Sequence, residues 1–196
     1  MDDSRRQLAQ DLYAAGREHD AAQADRLDRF RNVEPDTAEL LGVLIRATAA
    51  QRILELGTSN GYSTIWLADA AAATGGRVLS VDVEASRTEL ARANVAAAGL
   101  SDRVELRTAD AGAILADSPD AVWEFVFLDA ERPAYPGYLP DLLRTLAPGG
   151  VLAIDNVVSH AHELTEFTAR IEREPRLTQT VVPVGAGLRL AVLDGV

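Results

Sequence analysis

From Arg52 onward the chain alternates short β-type runs with helical stretches, and this alternation limits the possible folds more than any other feature. Arg52–Leu56 is followed by Tyr62–Ala73, Arg77–Val81 by Ser86–Ala98, and Arg103–Arg107 by Ala111–Ala116. Phe125–Leu128 then precedes Tyr135–Leu146, and Val151–Ile154 precedes Ala161–Arg173. Strands that each lead into a helix argue for a parallel, doubly wound sheet with helices on both faces. The tail breaks the rhythm. Leu177–Val184 and Leu188–Leu193 are joined by Gly185-Ala186-Gly187, which reads as a terminal hairpin. The expected fold is α/β: a single Rossmann-like domain with a mostly parallel seven-stranded sheet and an antiparallel C-terminal strand. Before the alternation, Leu8, Leu12, Leu27 and Phe30 form a thin apolar stripe that suggests two short helices. Pro35-Asp36 opens a better helix, with Leu40, Leu41, Leu44 and Ile45 on one side. Residues 1–50 are expected to act as a lid or a subunit contact, and 51–196 as the sheet core.

At 196 residues there is material for one domain with a full central sheet. No apolar run approaches the roughly 18 residues that span a bilayer. The polar start, Met1-Asp2-Asp3-Ser4-Arg5, leads into no apolar segment and does not resemble a signal peptide. The chain has no cysteine, which removes disulfides, thiolate metal sites and cysteine nucleophiles. A cytoplasmic location is expected, without a membrane partner. The net charge of -11 carries no basic stripe and argues against nucleic acid as a partner. All 19 basic residues are arginine; there is no lysine.

In doubly wound sheets ligands bind beyond the carboxyl ends of the strands. The first strand runs into Gly57-Thr58-Ser59-Asn60-Gly61, a loop whose two glycines permit a tight turn and close backbone approach. Asp82 ends the second strand, 25 residues after Gly57, where a carboxylate can accept the hydroxyls of a ribose. Asp110-Ala111 follows the third strand at a helix start and can meet an adenine. The glycines also suit a plain turn, and Asp82 a strand-end cap. A nicotinamide enzyme is the rival reading. Its Gly-x-Gly-x-x-Gly loop seats a pyrophosphate, but here Ser59 takes the second glycine position and Glu55 precedes the loop. A carboxylate there would repel pyrophosphate and suits a ligand carrying ammonium and sulfonium groups. The fourth strand ends in Asp129 and the fifth in Asp155-Asn156. On neighbouring strands these would bring together two carboxylates and an amide oxygen, hard ligands suited to Mg²⁺. Capping or turn roles would be the structural alternative.

These stretches together resemble the cation-dependent O-methyltransferases, the family of catechol O-methyltransferase and caffeoyl-CoA O-methyltransferase. The matching segments are Asn32-Val33, Glu55 through Ser63, Val81-Asp82, Asp110-Ala111, Phe127 through Ala130, Tyr135-Pro136, Leu146 through Gly150, and Asp155-Asn156. The resemblance implies a class I methyltransferase sheet that binds S-adenosyl-L-methionine. Val33, Gly57 and Ser63 would hold the methionine part, with Glu55, Thr58 and Asp129 nearby; Asp82 would hold the ribose and Asp110-Ala111 the adenine. Asp129, Asp155 and Asn156 would hold Mg²⁺ or another divalent cation. The acceptor would be a small hydroxyl compound, and adjacent hydroxyls that chelate the metal favour a catechol-like one. A homodimer is also implied.

One position departs from the family. Where it commonly has a lysine, three residues after the first metal aspartate, this chain has Arg132. A guanidinium stays protonated and cannot accept a proton. Arg132 can still stabilise a phenolate, gate the substrate, or mark a lost activity. His160 is the other catalytic candidate because imidazole transfers protons near neutrality, although a helix-start or surface place would explain it too. Trp66 and Trp123 read as core. Metal-independent methylation and a cofactor-binding protein with weak catalysis remain the alternative functions.

Overall fold

The structure, a computed structural model, describes residues 1–195. Seven strands form one sheet: β1 (Arg52–Leu56), β2 (Arg77–Asp82), β3 (Val104–Thr108), β4 (Trp123–Leu128), β5 (Leu146–Ile154), β6 (Leu177–Val182) and β7 (Leu188–Leu193). Their spatial order is β3-β2-β1-β4-β5-β7-β6. β1 to β5 pair in parallel, and β7 runs antiparallel between β5 and β6. This is the expected mostly parallel sheet closed by an antiparallel C-terminal strand.

The central strands are apolar on both faces because helices cover both. Alternate residues point to opposite sides. Ile53, Phe125, Phe127, Val151 and Ala153 join one hydrophobic layer, which also takes in α2 (Pro35–Thr48) and α3 (Tyr62–Thr74). Leu54, Leu56, Val126, Leu128, Leu152 and Ile154 join the other, with α5 (Ala111–Asp117), α6 (Tyr135–Thr145) and α7 (Thr165–Ile171). Between α3 and α5 in sequence, α4 (Ala85–Ala97) buries Thr88, Ala91 and Val95. Trp66 is buried in the first layer and Trp123 packs against the second, so both belong to the core. α6 contains Pro140, which cannot donate to the carbonyl of Pro136. Arg170 donates its Nη1 to that oxygen at 2.7 Å and supplies the missing bond.

Three expectations change. The N-terminal stripe forms one 20-residue helix, α1 (Asp3–Ala22), capped by Asp2; such a cap is worth about 1 kcal/mol. Beyond it only a single 3₁₀ turn occurs, Arg26–Asp28, and the segment up to Val33 is otherwise extended. The fifth strand starts at Leu146 rather than Val151; its register with β4 shifts between Trp123 and Phe125, where Pro148-Gly149-Gly150 interrupts regular pairing. The helix expected over Ala161–Arg173 is divided into a 3₁₀ turn at Ala161–Leu164 and α7. Among the described residues no helix is long and apolar enough to cross a membrane.

Register positions the site. Leu56 lies opposite both Val81 and Leu128, and Leu128 lies opposite Ile154. The next residues on these strands are Gly57, Asp82, Asp129 and Asp155, so one edge of the sheet presents a row of a glycine and three carboxylates. Strand order reverses between β1 and β4, the place where such sheets open a crevice.

Candidate active site

A cavity of about 650 Å³ opens over this edge. Its floor is the β1–α3 loop. Gly57 has φ +108°, and a Cβ there would stand 2.2 Å from the carbonyl oxygen of Asp129, so only glycine fits. The amide of Asp129 also donates to the carbonyl of Leu56 at 2.9 Å. The loops after β1 and β4 therefore touch through backbone atoms.

Asp82 braces the same loop. Its Oδ2 accepts the amide of Ser59 at 2.8 Å and its Oδ1 accepts that of Glu84 at 3.0 Å. Each carboxylate oxygen retains a second acceptor direction, and Asp82 lines the cavity. Asp110 caps α5 by accepting the amide of Ala113 at 2.9 Å, and with Ala111 it forms part of the wall. Asp82 thus ends its strand as a cap, the alternative read from sequence, Asp110 caps a helix, and both still line the cavity.

Two expected cofactor residues lie below the wall instead. Glu55 is fully buried and accepts the hydroxyls of Ser63 at 2.5 Å, Ser80 at 2.6 Å and Thr64. Burial pushes its carboxyl up to about 7 despite these three donors. Thr58 is buried against the Ser80 hydroxyl at 2.6 Å. Neither lines the cavity; Glu55 instead orients Ser63, which does. Val33, Gly57 and Asp129 line it.

At the β4–β5 end, Asn156 donates Nδ2 to Asp129 Oδ1 at 3.0 Å and to Asp155 Oδ2 at 3.1 Å. Asn156 adopts the left-handed region at φ +65°, a conformation asparagine tolerates better than most side chains. Burial, then the neighbouring Asp155 charge, raises the Asp129 carboxyl well above its usual range, against the opposing pull of Arg31 and Arg132. Burial also raises Asp155, to about 6. Oδ1 of Asp155 is buried without a hydrogen-bond partner. Two carboxylates held together, an orphaned oxygen and an amide whose oxygen a flip of the side chain would bring to the same point fit a hard divalent cation. Among the described residues no group of three or more His, Cys, Asp or Glu gathers anywhere, so this set depends on the amide.

Arg132 and His160 both line the cavity. Arg132 is buried and paired with Glu163, Nε to Oε2 at 2.9 Å. His160 Nδ1 lies 2.8 Å from the Ser159 hydroxyl, and burial, followed by Arg132, lowers its pKa. It stands at the start of the Ala161–Leu164 turn, half-buried, so the helix-start place read from sequence holds and the ring also lines the cavity.

Sequence reading missed the strap from Gln23 to Glu34 as a wall. Arg87 donates to the carbonyls of Leu27 and Arg29. Ser59 donates to the carbonyl of Phe30 at 2.8 Å, and Asp20 accepts the amides of Phe30 and Arg31. Arg26 and Arg31 pair with Glu131 at 3.0 and 2.7 Å. The available signal was the density of arginines just before Asn32-Val33 in a chain without lysine.

The sequence profile described as O-methyltransferase matches residues 17–193. This chain belongs to the S-adenosylmethionine-dependent O-methyltransferase family. Among curated members, the catechol O-methyltransferase of Niastella koreensis is 34% identical over 138 residues, covering 69% of this chain and 62% of that enzyme. The catechol O-methyltransferase of Mycobacterium tuberculosis is 34% identical over 155 residues, covering 79% of this chain and 68% of that enzyme. Solved structures of the family superpose closely. An O-methyltransferase from Streptomyces achromogenes involved in tomaymycin synthesis, in complex with S-adenosylmethionine, has a TM-score of 0.81 and 32% identity over 100% of this chain and 91% of its own. An O-methyltransferase from Bacillus cereus in complex with SAH has a TM-score of 0.79 and 30% identity, covering 99% and 92%.

Proposed function

We infer that this methyltransferase transfers a methyl group from S-adenosylmethionine to a hydroxyl of a small, catechol-like acceptor, assisted by a divalent cation. The observation that carries this reading is the backbone contact between Gly57 and Asp129, which sets the expected cofactor loop directly beside the paired carboxylates. Val33, Gly57 and Ser63 would hold the methionine portion, Asp82 the ribose, and Asp110 with Ala111 the adenine edge. The sulfonium supplies an electrophilic methyl group. Asp129, Asp155 and Asn156 would hold the cation, which acidifies and orients a hydroxyl that otherwise ionises near pH ~10.

The chain's own groups do the rest. Fixing both reactants at one sheet edge supplies orientation. Arg132, held by Glu163, contributes positive charge beside the acceptor but cannot take its proton. His160 is the wall residue with a ring nitrogen able to accept it. The curated names of the two catechol O-methyltransferases support the acceptor class. The assembly read with this activity is a homodimer, and sedimentation of the full chain checks it. The central test is methyl transfer to catechol with and without EDTA. Activity that is abolished by the chelator and restored by Mg²⁺ supports the reading, and full turnover in EDTA refutes the cation's part in it.

A further inference from the structure

The turn between β6 and β7, Gly185-Ala186-Gly187, is seated against the loop that follows Asn156. The carbonyl of Gly187 accepts the amide of Val157 at 3.0 Å, and the carbonyl of Ala186 accepts those of Val158 at 3.2 Å and Ser159 at 3.0 Å. Three successive donors after Asn156 are thus held by two carbonyls of a hairpin distant in sequence. The approach is close. Gly187 has φ +91°, and a Cβ there would overlap the side chain of Val158 and stand 2.9 Å from its amide nitrogen. On its other side the turn abuts Glu34 and Thr37 at the start of α2 through Gly185, so it is wedged in place.

Asn156 needs such support more than its neighbours do. Asp129 and Asp155 are fixed by their own amides, which donate to the carbonyls of Leu56 at 2.9 Å and Leu128 at 3.2 Å along the parallel sheet. Asn156 lies beyond the last strand residue, at φ +65°, and strained backbone of this kind persists only where its surroundings over-determine it. Inside its own loop it has the His160 amide on its carbonyl at 3.1 Å and the Ser159 hydroxyl 3.4 Å from its Oδ1. Val158 and Ser159 are exposed, so the loop has little packing of its own. The remaining restraint is the hairpin. β7 pairs with β5 as far as Ile154, opposite Arg189, and the turn carries the bonding on past Asp155 and Asn156.

We propose that the Gly185-Ala186-Gly187 turn is a positioning element for the cation site: through Val157, Val158 and Ser159 it fixes the backbone of Asn156 and so sets where that amide stands relative to Asp129 and Asp155. This deepens the reading of a divalent cation at those three residues and rests on it. Gly187 supplies no ligand and does not line the cavity; it acts through Val158 on Asn156. Groups that orient a metal ligand from behind govern affinity nearly as strongly as the ligand itself.

The test measures Mn²⁺ binding to the full chain by electron paramagnetic resonance, with Asp155→Ala as the background from other carboxylates, and S-adenosylhomocysteine binding by calorimetry. Gly187→Ala should weaken Mn²⁺ about ten- to a hundredfold, the scale of losing a group that orients a metal ligand. Its affinity for S-adenosylhomocysteine should stay at the wild-type value. Adding Val158→Gly removes the overlapping side chain and should recover part of the Mn²⁺ affinity. No recovery, or equal losses of both ligands, would make residue 187 a general folding determinant and overturn the proposal. If Gly187→Ala does not fold, a glycine inserted between Gly185 and Ala186 lengthens the turn without adding bulk, and it should weaken Mn²⁺ alone in the same way. Unchanged Mn²⁺ affinity in a folded variant overturns the proposal while leaving the cation reading intact. A wild type that binds Mn²⁺ no better than Asp155→Ala sinks the cation reading itself, and the proposal with it.

Discussion

Nδ2 of Asn156 lies 3.0 Å from Oδ1 of Asp129, with its amide hydrogens where a cation would be expected. The amide also reaches Asp155, so without an ion it supplies the partial positive charge that keeps the two carboxylates together. A bound cation would exchange that role for a ligand oxygen. Asp155→Ala should therefore abolish metal-dependent transfer, and excess Mg²⁺ should not rescue it. Binding of S-adenosylhomocysteine, followed by melting temperature, should stay close to wild type. An Asp155→Ala variant with near-normal turnover would place the cation elsewhere.

Asp82 allows a separate test of the cofactor. S-adenosylhomocysteine should raise the melting temperature, because a ligand that binds only the folded state stabilises it, and NAD should not. Asp82→Asn keeps the size of the side chain but removes the charge and one of the two oxygens that accept the amides of Ser59 and Glu84. Its affinity for S-adenosylhomocysteine should fall at least about tenfold, equivalent to about 1.4 kcal/mol. Calorimetry showing unchanged affinity would remove Asp82 from the ribose site.

Glu55 predicts a pH signature in stability rather than in chemistry. Its carboxyl is held at about 7 in the folded chain, against 4.5 for the free group. The folded state thus binds this proton more tightly than the unfolded state. The resulting stability is fully present below pH 4.5 and is lost as pH rises through 7. Glu55→Gln removes the titration. The melting-temperature difference between variant and wild type should move in favour of the variant between pH 5 and pH 8, over about the interval the two pKa values define. Parallel melting curves across that range would contradict a protonated Glu55.

Arg132 and His160 separate by their pH profiles. His160→Ala should lower kcat on catechol by ~100-fold or more near neutrality, the scale of a lost proton acceptor. The deficit should narrow as pH rises and the acceptor ionises unaided. Arg132→Ala should cost less activity but also some melting temperature, since it leaves Glu163 without its partner. If Arg132→Ala is the more damaging to kcat at every pH, electrostatic stabilisation outweighs proton removal.

Much of this fold is local in origin and so can be read along the chain. The strand–helix alternation announces a parallel sheet, and Gly57, Asp82, Asp129 and Asp155 each follow directly on an apolar run that must be buried. The bulge at Pro148-Gly150 was not visible, because it depends on how β5 is staggered against β4. The role of Glu55 was also hidden: it follows from Ser63 and Thr64 of α3 and Ser80 of β2 converging on one carboxylate. The strap was missed for a related reason. Its order comes from Asp20, Ser59, Arg87 and Glu131, partners scattered along the chain, and not from any periodicity of its own.

The missing side chain at Gly57 has an evolutionary consequence. Because backbone touches backbone there, the spacing between the donor loop and the acceptor carboxylates is independent of what decorates the walls. Strap residues such as Arg26 and Arg31 can then be exchanged without altering the distance a methyl group must travel. The backbone contact therefore leaves the strap residues other than Val33 free to vary while the sheet edge stays as it is.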